Sequence, residues 1–136
     1  SEWLMAFSVF FFLSLAAVKR QAELIDSAER GTPEASGRGY HVTDLPIIEM
    51  ITIGAGYVSV LVMTLYVNSP AVVQLYARPE ALWGVCGVLL YWITRTVMVA
   101  HRGGMNDDPV IYAAKDRTSQ ICFLIILGFV AGGAIA

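Results

Sequence analysis

The chain has 136 residues, of which 57% are hydrophobic and 15% charged, with a formal net charge of −2. A soluble domain is about 25% charged and about 45–50% apolar, so this composition excludes an ordinary soluble domain and points to an integral membrane protein. The basic residues are scattered among loops rather than gathered in a patch, which excludes nucleic-acid binding.

A spanning helix needs about 20 mostly apolar residues. The first such run is 3–18, with bulk from Phe7, Phe10, Phe11 and Phe12 and an interfacial anchor in Trp3. The chain opens at Ser1 almost directly into this run. With no basic stretch before the run and no small-residue cleavage site after it, a signal peptide is not expected, and the chain reads as a processed or truncated piece of something longer. The run ends in Lys19-Arg20-Gln21-Ala22-Glu23-Leu24. If the helix continues toward Leu24, Lys19 and Glu23 share one face as i,i+4 neighbours. From Glu23 to Asp44 the sequence reads as polar and irregular, with breakers at Gly31, Pro33, Gly37 and Gly39. Gly31 is a candidate C-cap just after Glu29 and Arg30.

Thr43-Asp44-Leu45-Pro46 offers an N-cap with proline in the first turn, opening a second span over 45–67. Glu49 lies one turn inside it, and Gly54 and Gly56 permit close helix approach. Asn68-Ser69-Pro70 ends this span, and a short interfacial helix is expected over 71–76. The third span, 81–100, carries Trp83, Tyr91, Trp92 and Arg95; the fourth, 118–136, closes on small residues. The fold class is therefore all-α, an integral membrane chain with four transmembrane helices in one region, 1–136. Cys86 and Cys122 fall inside apolar runs and read as packing residues.

Loop 19–44 holds Lys19, Arg20, Arg30 and Arg38, loop 101–117 holds Arg102, Lys115 and Arg117, and the middle connection has Arg78 alone. The positive-inside rule places loops 19–44 and 101–117 in the cytoplasm and both chain ends opposite. The two charged loops can then converge on one site.

Lys19-Arg20-x-x-Glu23 has a plain reading as juxtamembrane cations that set topology and touch anionic membrane lipids. It has a functional reading as an anion site, since Arg presents a fork suited to phosphate and Lys a mobile point charge. Paired carboxylates such as Asp107 and Asp108 can hold Mg²⁺ together with substrate phosphates, yet Asp before Pro109 is also a natural helix start, and capping is expected to explain at least one of them. Lys115-Asp116-Arg117 is expected to begin the last helix, and His101 reads as a polar loop residue. Arg95 and Glu49 are intramembrane charges. A charge in a span faces the bundle interior, a polar cavity or a partner; a bundle-facing Arg95 is favoured over one that snorkels, and a Glu49–Arg95 pair is one arrangement open to them. Tyr57, Tyr66, Tyr91 and Trp92 read as interfacial aromatics.

Several of these segments recur together: the Phe7–Ala16 run, Lys19-Arg20-x-x-Glu23-Leu24, Gly37-Arg38-Gly39-Tyr40, Asn68-Ser69-Pro70, Tyr91-Trp92-Ile93-x-Arg95, Ala100-His101-Arg102-Gly103-x-Met105-x-Asp107-Asp108-Pro109-Val110 and Lys115-Asp116-Arg117. Together they resemble the C-terminal half of a UbiA-type intramembrane prenyltransferase, in the branch containing decaprenyl-phosphate phosphoribosyltransferase. The resemblance implies the last part of a nine-helix bundle in the bacterial inner membrane, acting on polyprenyl phosphate or diphosphate lipids with Mg²⁺. It makes Lys19, Arg20 and Arg117 phosphate-binding, and Glu23, Asp107 and Asp108 orienting or metal-assisting. Quinone-type members carry an acidic motif where this chain has Lys19-Arg20-x-x-Glu23, which favours direct phosphate contact here. The family's first acidic motif has no counterpart in this sequence, so the resemblance implies an inactive part that needs a missing N-terminal half. The competing class is a non-catalytic accessory subunit packing against partner membrane subunits.

Overall fold

The computed structural model describes residues 2–31, 41–105 and 108–135. The described residues are almost entirely helical: α1 (Glu2–Glu29), α2 (Leu45–Val67), α3 (Pro70–Leu75), α4 (Leu82–His101), α5 (Pro109–Lys115) and α6 (Arg117–Ile135). Short 3₁₀ turns, Val42–Asp44 and Pro79–Ala81, lead into α2 and α4. Four stretches, Glu2–Glu29, Val42–Val67, Pro79–His101 and Arg117–Ala134, are long and apolar enough to cross a membrane.

The first polar loop is shorter than the sequence suggests. Helix α1 continues through Lys19 and Arg20 to Glu29, so the chain leaves the apolar zone as about 15 Å of additional helix at 1.5 Å per residue. The reason is local. Arg20, Gln21, Ala22, Glu23 and Leu24 are good helix formers, Arg30 pairs with Asp26 one turn back, and the first breaker is Gly31. Its φ of +76° and N–H bond to the Ala28 carbonyl at 3.2 Å terminate the helix in the left-handed conformation that glycine adopts freely. Residues 32–40, including Arg38, fall outside the described part. Asp44 stands at the N-cap position of α2, but its carboxylate turns back to accept the His41 N–H at 2.9 Å rather than bonding into the helix.

Helices α1, α2 and α4 form the centre of the bundle. At mid-span Ser14 Oγ donates to the Thr52 carbonyl of α2 at 2.7 Å. Beside it lies Gly56, where an added Cβ would stand 2.6 Å from Ile93 Cγ2 and 3.0 Å from Ser14 Oγ. Three helices can meet this closely because the residue at the crossing has no side chain. From there a core of Val60, Val67, Leu82, Val85, Leu89, Ile93 and Val97 runs between α2 and α4. Helix α6 packs on the other flank of α4, with the Phe129 ring over Gly84 and the Gly133 carbonyl accepting the Arg78 N–H at 2.9 Å. Helix α5 bridges α1 and α6 at the charged end of the bundle.

Candidate functional site

This arrangement leaves two adjoining cavities on one stripe of α1. The first is an apolar groove of about 480 Å³. Phe11, Phe12 and Leu15 of α1 form one wall, Cys122, Phe123 and Ile126 of α6 the other, Leu89 and Trp92 of α4 the floor, and Pro109, Val110 and Ala113 of α5 one end. Phe12, Val110 and Phe123 are each exposed on about three-fifths of their surface, so the groove is open along its length.

The second is a polar pocket of about 440 Å³, lined by Lys19, Glu23, Asp26 and Glu29 of α1 and by Gly103, Met105 and Asp108 from the α4–α5 connection. Positions 12, 15, 19, 22, 26 and 29 follow one another at helical spacing, so α1 carries the groove into the pocket. On the opposing side Asp108 lines the pocket while Pro109 and Val110 line the groove. An apolar slot and a charged one therefore lie end to end along α1, an arrangement suited to an amphiphile.

Several charges in and beside the pocket are paired. Lys19 Nζ lies 3.5 Å from Asp108 Oδ2, with both side chains about one-third exposed. Arg20 Nη1 donates to Glu23 Oε1 at 2.9 Å. Asp108 also caps α5, accepting the Val110 N–H at 2.8 Å, so the capping and charge readings of this residue hold together. Asn106 and Asp107 lie outside the described residues. Four carboxylates against one lysine make the lining acidic, so a bare anion is disfavoured there. Among the described residues no three His, Cys, Asp or Glu side chains converge as a metal-binding group. Mg²⁺, however, uses one or two carboxylates and completes its shell with water and substrate phosphate, and the hard oxygens of Asp108 and Glu23 fit that smaller role. Asp26 and Glu29 are pocket residues that sequence reading missed; the signal was the helical spacing of positions 19, 23, 26 and 29, in successive steps of four, three and three residues, with no breaker before Gly31.

The intramembrane charges do not meet each other. Arg95 turns from α4 to the α5–α6 joint and grips Asp116 with two bonds, Nη1 to Oδ2 at 2.7 Å and Nη2 to Oδ1 at 3.2 Å. Asp116 is the residue before α6, and its Oδ2 also accepts Ser119 N–H at 2.9 Å and Ser119 Oγ at 2.7 Å. Trp92 Nε1 donates to the same Ser119 hydroxyl at 2.9 Å, connecting this network to the groove floor. Burial opposes ionisation of Asp116, but the Arg95 guanidinium and the Ser119 donors outweigh it and hold the carboxyl at about 2. Glu49 instead accepts from His101 Nδ1 at 2.7 Å and from Gln21 Nε2 at 3.4 Å, which makes His101 part of a helix-tying cluster rather than a simple loop residue. Arg117 is exposed at the start of α6 and makes no ion pair among the described residues.

No protein-family model matches the chain, and no solved structure matches it. Over 127 residues, 93% of the chain, it is 40% identical to the nodulation protein NoeC of Azorhizobium caulinodans. Over 120 residues, 88% of the chain, it is 33% identical to the uncharacterized protein y4nM of Sinorhizobium fredii. The matched region spans 41% of the first protein and 23% of the second.

Proposed function

We propose that this chain is the C-terminal part of a UbiA-type transferase acting on polyprenyl phosphate or diphosphate lipids in the bacterial inner membrane. The observation that carries the reading is the placement of the apolar groove and the polar pocket end to end along one stripe of α1. A polyisoprenoid tail takes the groove and its phosphate takes the pocket. A subunit that only packs against partners has no need of a charged cavity at the end of an apolar one.

Lys19 is the mobile charge on the pocket wall. Its pair with Asp108 is long and partly exposed, worth about 1 kcal/mol or less, so opening that pair to a phosphate oxygen costs little beyond the repulsion from the neighbouring carboxylates. Arg20, oriented by Glu23, supplies a second cation beside it, and Arg117 a third on the same membrane face. Such fixed cations hold the lipid phosphate in place and offset its charge in the transition state. Asp108 and Glu23 are the residues that would hold Mg²⁺, which supplies charge neutralisation on the phosphate when bound. Helix α5 keeps the tail against α6, and Trp92 is held in place on the groove floor through Ser119.

The test uses the full-length protein in vesicles, following transfer onto a radiolabelled polyprenyl phosphate. The Lys19→Ala/Arg20→Ala double variant is expected to insert normally and to lose activity by about 100-fold or more, the size seen when a single transition-state donor is removed. Wild-type turnover in that variant sinks the assignment.

A further inference from the structure

We infer that Glu49 and His101 are positioning residues for the Lys19 pocket: through them α2 fixes the start of the segment 102–105, whose Gly103 and Met105 line the pocket beside Asp108. Calling the pocket a phosphate site rests on the function proposed above; the geometry that links it to Glu49 does not.

Asp108 faces Lys19 across the pocket from α1, and the described segment that follows His101, 102–105, is held at three places. Its start is held by the bond from His101 Nδ1 to Glu49 Oε2 at 2.7 Å, which joins the last residue of α4 to the first turns of α2. Its turn packs closely on α1 at Gly103, where φ is +76° and an added Cβ would lie 2.8 Å from Oε1 of the pocket residue Glu29. Its end is held by Met105, 4% exposed and buried with Val18 and Ala100. Of the three ties, the His101–Glu49 bond alone connects the segment to α2, a helix that contributes no residue to the pocket.

The choice of residue at 49 is informative. A carboxylate one turn inside a span is unfavourable unless it does something no apolar residue can. Glu49 accepts from two other helices at once, Gln21 of α1 and His101 of α4. Gln21 is fully buried and its Oε1 has no hydrogen-bond partner, so Glu49 is the only group satisfying that amide among the described residues. Removing Glu49 therefore frees the end of α4 and strands the Gln21 amide together. The pocket then loses the anchored segment whose Gly103 and Met105 line it beside Asp108.

The chain contains two lysines, Lys19 and Lys115, which gives a readout that needs no substrate. The full-length protein in native membranes is treated with a water-soluble amine acylating reagent, and modification at each lysine is followed by peptide mass spectrometry. Asp108→Asn, which removes the ion pair directly, sets the upper reference. Glu49→Ala and His101→Ala are each expected to raise the Lys19 rate about threefold, the factor that releasing a partly exposed ion pair supplies, with Lys115 unchanged. Glu49→Gln, which can still accept from His101, is expected to return the rate most of the way to wild type. His101 is largely exposed, so its truncation leaves a testable protein even where Glu49→Ala does not insert. A Lys19 rate that stays at wild type in His101→Ala while Asp108→Asn raises it overturns the inference. So does an equal rise at Lys115, which marks general loosening. Failure of the transfer assay with the labelling pattern intact counts against the transferase reading alone.

Discussion

Replacing Asp116 by Asn separates two jobs that the carboxylate does at once. Asn is as good an N-cap as Asp, so the bond from Ser119 N–H survives, while the charge that holds Arg95 is lost. The carboxyl is lowered from 3.8 to about 2, so the whole environment favours the anion by roughly 2–3 kcal/mol. Part of that comes from the Ser119 donors, which Asn keeps, so Asp116→Asn is expected to destabilise the bundle by about 1–2 kcal/mol. The assay is reversible unfolding in mixed micelles, run as a double-mutant cycle with Arg95→Gln, with an expected coupling of the same size. The pH dependence has a definite sign. A carboxyl whose folded value lies below its unfolded value stabilises fully above the unfolded value of 3.8 and loses the contribution as pH falls through about 2. Wild type should therefore lose this increment between about pH 4 and pH 2, and Asp116→Asn should not. A variant within about 0.3 kcal/mol of wild type, or a cycle with no coupling, would falsify the claim that Arg95 is stabilised by this pair.

Gly56→Ala drives a methyl into Ile93 and Ser14 and is expected to cost about 1–3 kcal/mol, whereas Gly54→Ala, with open space around its Cβ position, should be neutral or slightly stabilising by the same unfolding measurement. Gly103→Ala combines a strained positive φ with a clash at Glu29; a loss of about 1 kcal/mol or more is expected, together with faster amide exchange at Gly104 and Met105. Ser14→Ala removes the mid-span bond to the Thr52 carbonyl and should cost about 0.6 kcal/mol, so a loss above about 2 kcal/mol would mean that the hydroxyl does more than bridge two helices. Val110→Trp narrows the open end of the groove and should weaken retention of a spin-labelled isoprenoid in vesicles, with no change in lysine labelling at the polar pocket.

The spans were legible because the bilayer imposes a length and the sequence supplies it. Long apolar runs bounded by Asp44-Leu45-Pro46, Asn68-Ser69-Pro70 and the charges around 115–117 leave little freedom, and the second run, 45–67, coincides with α2. The end of α1 was legible in part: Gly31 was marked as a candidate C-cap, yet the polarity of the residues before it was also read as a loop signal, when only a breaker ends a helix. Gly31 ends α1, and the eleven residues from Lys19 to Glu29, polar as many of them are, remain helical. Reading those residues as loop also hid Asp26 and Glu29 from the candidate site. Similarly, Asp108-Pro109 advertised a helix start, but nothing local showed that the seven residues after it, α5, would lie across a groove between α1 and α6.

Pairing of the intramembrane charges was not legible, and helical geometry says why. Glu49, Arg95 and His101 all fall near the charged end of the bundle, and sequence alone orders them only by depth. Arg95 and His101 stand six residues apart on α4, about 240° around the helix axis, so they look toward different neighbours, and a single carboxylate on α2 can serve one of them. Which one depends on how α4 is rotated, and that rotation is set by steric contacts that involve neither charge, where Gly56 admits Ile93 and Gly84 admits Phe129. With Ile93 turned to α2 and the Gly84 side turned to α6, Arg95 faces Asp116 and His101 faces Glu49. The electrostatic partners at one end are thus chosen by steric contacts at mid-span and at the far end. A glycine-to-alanine change at position 56 or 84 should accordingly disturb the Arg95–Asp116 pair although it touches neither residue. In each variant, the Arg95/Asp116 coupling energy should fall toward zero in proportion to the rotation imposed. Coupling unchanged in a folded Gly84→Ala protein would show that the charges set the helix rotation themselves.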